Sequence, residues 1–118
     1  MIEGQSMQVP NASEAFVPPA KLYAYLLSED HREGGPKARL LRSFGFDESN
    51  AELLEAQLLE IVRSNPVERA DPAPFGMKYV VHGVLQAPIG RELAIRTVWI
   101  VRPTDPRPRL VTAYPTRD

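Results

Sequence analysis

Cysteine is absent from all 118 residues. That excludes a disulfide scaffold, thiolate zinc sites and a cysteine nucleophile, and it leaves the redox compartment undecided. Histidine occurs twice, as His31 and His82, in different segments and with no second ligand at metal-ligand spacing. The expectation is therefore no metal site and no cofactor. Long apolar runs are missing as well: none approaches the roughly 18 residues of a membrane span. The opening MIEGQSMQVPN lacks the basic start and apolar core of a signal peptide. A cytoplasmic protein without membrane contact is the expectation. The glycines of Glu33–Lys37 lack the spacing that cradles phosphates, and no serine sits in a nucleophile elbow.

Charge of one sign is also scarce, the net value being -1. This argues against indiscriminate nucleic-acid binding, but the distribution is uneven. Met1–Pro66 holds six Lys/Arg against ten Asp/Glu, and Val67–Asp118 holds eight against five, so the halves carry -4 and +3. A further basic cluster, Arg32, Lys37, Arg39 and Arg42, lies inside the acidic half. Such asymmetry permits an anionic partner without requiring one.

The chain is organised around Glu92–Arg102, which alternates with the period of a strand. Leu93, Ile95, Thr97, Trp99 and Val101 fall on one face, and Ala94, Arg96, Val98 and Ile100 on the other. Both faces being largely apolar, it reads as a central strand. Met77–Leu85 and Arg109–Tyr114 supply its neighbours, joined by turns rich in proline and glycine. Before them come three helical segments, Ala20–Leu27, Lys37–Phe44 and one opening at Ser49 with a Ser49–Glu52 capping box. Val67–Pro74 reads as a proline-containing connector. The predicted fold is α+β: about three N-terminal helices on one face of a C-terminal antiparallel meander of three to four strands. Residues 1–12 are expected to form a flexible arm, and residues 13–118 one domain.

With metal, nucleotide-loop and nucleophile-elbow hydrolases set aside, a metal-free phosphodiester cleaver is one class that the residues still permit, cutting RNA through the neighbouring 2′-hydroxyl. It needs a base, an acid and cations around the pentacoordinate phosphorus. His31 is the candidate proton carrier, since imidazole titrates near neutral pH. Lys37, with Arg39 or Arg42, can supply charge, and Arg96, Thr97, Thr112 and Tyr114 can line the exposed end of the sheet. Each also has a plainer reading: His31 solvated in a polar loop, Arg96 paired with a carboxylate across the sheet. Trp99 is core, and His82 on its strand face marks a bulge or nothing.

Several segments form a familiar set: Lys21-Leu22-x-x-Tyr25-Leu26-Leu27, His31-x-x-Gly34-x-x-Lys37-Ala38-Arg39, Gly45-Phe46, Arg96-Thr97-Val98-Trp99-Ile100 and Pro108-Arg109-Leu110-Val111-Thr112-Ala113-Tyr114-Pro115. Their order over residues 15–115 resembles an uncharacterised bacterial domain family whose members are sometimes labelled adhesins. Leu40 and Leu41 stand where an aromatic pair is expected in that family. The resemblance implies a small toxin-like protein with an antitoxin or immunity-like partner. More remotely, the layout is similar to the ribonuclease superfamily of barnase, EndoU, colicin and RelE-type toxins. That resemblance implies RNA as substrate, with His31, Lys37, Arg39, Thr112 and Tyr114 catalytic and Arg96 and Thr97 binding substrate; Arg42 joins the binding set for its charge. A non-catalytic module that docks a small protein through a sheet edge is the competing reading.

Overall fold

A computed structural model describes residues 7–28 and 35–116 of the chain. β1 (Val67–Ala73), β2 (Gly76–Gln86), β3 (Glu92–Arg102) and β4 (Asp105–Pro115) form one antiparallel sheet in the order β1-β2-β3-β4. Three helical segments precede it: α1 (Pro19–Lys21), continued by a π-turn over Leu22–Leu26, then α2 (Gly35–Ser43) and α3 (Ala51–Ser64). The α+β layout is as expected, with the sheet at the four-stranded end of the range. Among the described residues no helix is long and apolar enough to cross a membrane.

The alternation of β3 decides which side of the sheet is covered. Leu93, Ile95, Thr97 and Trp99 are all buried. Register places Leu85, Gly83, Val81 and Tyr79 of β2 beside them on the same face, with Ala113 and Leu110 of β4 on the other flank. α3 lays Leu54, Leu58, Ile61 and Val62 over this inner face, and one apolar cluster results. Gly83 is glycine because the helix passes so close: a Cβ there would stand 2.6 Å from Cγ1 of Ile61. The N-terminal segment crosses the rest of the inner face, burying Val9, Ala15 and Val17. Val67 N–H donates to the Met7 carbonyl at 2.7 Å, and Phe16 pairs with β4 at Arg109. Within the stretch 7–12 Val9 is thus buried, while Met7, Gln8, Pro10 and Asn11 are exposed.

Two local expectations need correcting. Val67–Ala73 is a strand, not a connector, because Pro72 sits on an edge strand where a missing N–H breaks no ladder. The capping box lies one turn ahead of the third helix and is made by Asp47 and Asn50, not by Ser49 and Glu52; α3 itself, with Asn50 at its N-cap, has no side-chain cap. Asp47 accepts from Ser49 N–H at 2.8 Å, while the Asn50 side chain accepts from Asp47 N–H at 2.8 Å, and a short 3-10 turn, Glu48–Asn50, leads into α3.

β1 covers β2 only as far as Val81, and past that point α3 substitutes for a strand. Gln57 Oε1 accepts from Gln86 N–H at 2.7 Å and Gln57 Nε2 donates to Gln86 C=O at 3.0 Å, a side-chain copy of a strand pair. Asn65 Nδ2 donates to the His82 carbonyl at 2.8 Å. Between these clamps the Val84 backbone faces an open groove of about 550 Å³ between α3 and the β2 edge.

Candidate functional site

The outer face of the sheet is built from the residues that alternate with the core. On it Val80 and Ile100 are buried, His82 and Val84 exposed and Arg96 half-buried. Strand register sets His82 of β2 beside Arg96 of β3 and Arg96 beside Tyr114 of β4, so the three stand in one row. With strands about 4.8 Å apart, the row spans about 10 Å.

Arg96 is the centre of that row. Its guanidinium grips Glu68 with two hydrogen bonds, Nε to Oε1 at 3.0 Å and Nη2 to Oε2 at 3.2 Å. Glu68 reaches it because β1 is irregular there, the register shifting between Val67 and Arg69. Hydrogen bonding to Glu68 first, and then to Tyr114, holds the Arg96 pKa above its ordinary value. Arg96 is therefore a fixed cation at the middle of an open face. His82 Nε2 lies 3.2 Å from the Thr116 hydroxyl, which brings the imidazole across Ala94 toward the end of β4.

Lys37 comes from α2, which flanks the β4 edge. Its Nζ donates to Thr112 Oγ1 at 3.1 Å and lies 5.6 Å from the centre of the Tyr114 ring. A helix residue and an outer-face strand residue 75 positions apart thus meet at the sheet rim. Beside them Pro36, Lys37, Leu40, Phe44, Leu93, Pro115 and Thr116 line an open hollow of about 460 Å³.

Of the residues singled out from sequence, Lys37, Thr112, Tyr114 and Arg96 are brought together. Arg39 is exposed on α2; two positions from Lys37 on a helix, it leaves the axis about 200° further round. Arg42 turns elsewhere, donating to the Leu27 carbonyl at 2.7 Å and pairing with Glu48. Thr97 is fully buried on the inner face: its hydroxyl donates to the Val81 carbonyl at 2.7 Å and accepts from Trp99 Nε1 at 2.8 Å. Placed there, it serves the core and does not reach the open face. His31 lies outside the described residues.

Sequence reasoning missed Glu68 and His82. Glu68 is hidden because its strand has prolines and charges where alternation would show. His82 is legible: a hairpin closing through Ala87–Arg91 pairs it with Arg96, and both carry the parity of the outer face. Among the described residues no three His, Asp or Glu side chains are grouped so as to hold a metal ion.

The arrangement offers a fixed arginine, a lysine, two hydroxyls and an imidazole on one accessible surface. Side chains of these types have the chemistry to hold an anion and to move a proton beside it. A family model described as a domain of unknown function (DUF6883) matches residues 8–117. No curated protein matches the chain. Among solved structures, a chain of a contact-dependent growth inhibition toxin–immunity protein complex from Klebsiella pneumoniae 342 superposes with a TM-score of 0.68. Identity is 14%, over 92% of this chain and 98% of that one. At that identity the likeness is one of fold.

Proposed function

The chain belongs to the DUF6883 family, and we propose that it is a toxin-like ribonuclease acting without a metal, one half of a toxin–antitoxin or toxin–immunity type pair. The observation that carries this reading is the meeting of Lys37, Thr112, Tyr114 and Arg96 on the open sheet face, with His82 in the same row. The fold shared with a chain of a toxin–immunity complex supports the pairing with a small protein partner.

In the proposed reaction a base takes the proton of the ribose 2′-hydroxyl. The 2′-oxygen bonds to phosphorus, the bond from phosphorus to the 5′-oxygen breaks, and an acid protonates that oxygen. A cyclic phosphate and a 5′-hydroxyl result. Arg96 and Lys37 stabilise the charge on the phosphorane oxygens, and the Thr112 and Tyr114 hydroxyls orient them. His31 and His82, the chain's two histidines, are assigned as its proton carriers. Glu68 holds Arg96 in place, and Arg39 and Arg42 add positive charge around α2.

The test is cleavage of single-stranded RNA by purified protein in the presence of a chelator, together with expression in a bacterium. Wild type is expected to cut RNA and arrest growth, and Lys37→Ala, Arg96→Gln, His31→Ala and His82→Ala each to lose 10²-fold or more of the rate, on the order of single-group losses elsewhere. Intact RNA and equal growth in every strain would sink the reading.

One observation favours a different class of function. The Val84 backbone faces the open groove beside α3, where an extended segment of another protein could add a strand. In that case the protein binds a small partner and does no chemistry. Partner binding abolished by Val84→Pro, with RNA left intact by wild type, would favour it.

A further inference from the structure

On the outer face most arginines hold a carboxylate. Arg69 pairs with Asp71 at 2.7 Å, Arg96 with Glu68 at 3.0 Å and Arg107 with Asp105 at 2.9 Å. Lys78 and Arg109 differ. They flank Ile100 in one row of the register, and among the described residues neither is in an ion pair. Asp71 stands opposite Lys78, but its carboxylate is engaged by Arg69. The Arg109 guanidinium rests 5.1 Å from the centre of the Phe16 ring, which it shares with Arg107, and Asp105, the carboxylate that feels its charge, is held by Arg107.

Strand geometry fixes how far this row is from the candidate site. Lys78 precedes His82 by four residues on β2, and Ile100 follows Arg96 by four on β3. At about 3.3 Å per residue the rows are about 13 Å apart. Side chains return to one face every second residue, so one row lies between: Val80, which is buried, and half-buried Val98 and Thr112. Cations at two places on one face, Lys37 with the Glu68-braced Arg96 in one and Lys78 with Arg109 in the other, match the repeating phosphates of a single nucleic-acid strand.

We propose that the outer face is a track for single-stranded RNA running along the strands, with Lys78 and Arg109 holding a phosphate about two nucleotides from the one at Lys37 and Arg96. The position of the cleaved bond on this track rests on the ribonuclease reading; the track itself does not. Its test is fluorescence anisotropy with labelled 2′-fluoro RNA, which lacks the hydroxyl needed for cleavage, as a trimer and as an octamer. Wild type is expected to bind the octamer at least tenfold more tightly than the trimer, and the Lys78→Gln/Arg109→Gln protein to lose that difference. The plot of log affinity against log salt should be shallower for the double variant by about 0.7 for each phosphate that it no longer neutralises. Equal octamer affinity for the two proteins, or no binding by wild type, overturns the track. If unmodified RNA is cut while octamer binding ignores the double substitution, the track falls and the enzyme stands. If octamer binding drops as expected while RNA stays uncut, the track stands and the ribonuclease reading falls.

Discussion

Trp99 and Thr97 lie two residues apart on β3, and the Trp99 indole N–H donates to the Thr97 hydroxyl at 2.8 Å inside the core. The hydroxyl donates its own proton to the Val81 carbonyl at 2.7 Å, so a chain of two hydrogen bonds ties the largest core side chain to the neighbouring strand. Both residues are fully buried. An indole with its N–H satisfied can be sealed away from water, and Thr97 is what permits it.

Thr97→Val keeps the shape and removes that hydroxyl. The indole N–H and the Val81 carbonyl then each lose a partner in a buried site. At about 1–2 kcal/mol for each such group, the lower part of the usual range, the variant should lose about 2–4 kcal/mol of stability in urea unfolding. Thr97→Ser, which retains the oxygen, should recover most of it. A loss under about half a kcal/mol for Thr97→Val would mean that the pair is not what seals Trp99.

Gly83→Ala tests the packing of α3 on β2. The added Cβ would lie 2.6 Å from Cγ1 and 2.8 Å from Cδ1 of Ile61, so the helix must lift or the isoleucine must leave its rotamer. Overpacking of this kind costs about 1–3 kcal/mol. In an Ile61→Val background, which lacks Cδ1, the same alanine should cost measurably less. Additive losses in the double variant would show that the two positions do not press on one another.

These two sites also show why some of the fold can be read from sequence and some cannot. β3 is legible because its alternation is unbroken from Leu93 to Val101, and burial follows that alternation on the helix side. β1 is not, because an edge strand can carry Pro72 and a run of charges without breaking any ladder. Residue type alone suggests Thr97 as a substrate ligand. Period-two alternation, however, puts it on the face of Trp99, and the covered face of a strand cannot serve solute. Lys37 and Thr112 follow from chemistry and from a resemblance, but their meeting depends on where α2 sits against the β4 edge, which no local pattern encodes. His31 lies outside the described residues.

Asp105 offers a test in acid. Hydrogen bonds from Arg107 lower its pKa from 3.8 to about 2. A depressed carboxylate pKa stabilises the folded state above the unfolded value, and that contribution is lost as pH falls from about 4 toward 2. Asp105→Asn should therefore be less stable than wild type at pH 7, with the gap closing in urea unfolding as pH is lowered through that window. The carboxylate is exposed, so the gap is small and should shrink further in high salt. A gap that widens on acidification would contradict the assignment.

Gln57 closes the β2 edge where β1 has ended, and hydrogen exchange can see it. Gln86 N–H has the Gln57 side-chain oxygen, at 2.7 Å, as its partner on that side. Gln57→Ala should speed exchange at Gln86 by about tenfold or more, roughly the worth of one hydrogen bond, while amides of Ile95 and Trp99 keep their protection. Unchanged exchange at Gln86 would show that the edge is closed by something other than this glutamine.

Glu68 and Arg96 separate positioning from chemistry. If Glu68 acts only by holding the guanidinium, Glu68→Gln should lower kcat for RNA cleavage about tenfold, and Arg96→Gln, which removes the cation itself, by about 10²–10³-fold. The double variant should then be no worse than Arg96→Gln alone, since a brace has no effect once the part it braces is gone. Unfolding in urea, run beside the kinetics, checks that both variants remain folded at the assay temperature. A further loss of about tenfold on adding Glu68→Gln to Arg96→Gln would give Glu68 a role of its own, and a carboxylate beside the ribose would then be the natural acceptor for the 2′-hydroxyl proton in place of an imidazole.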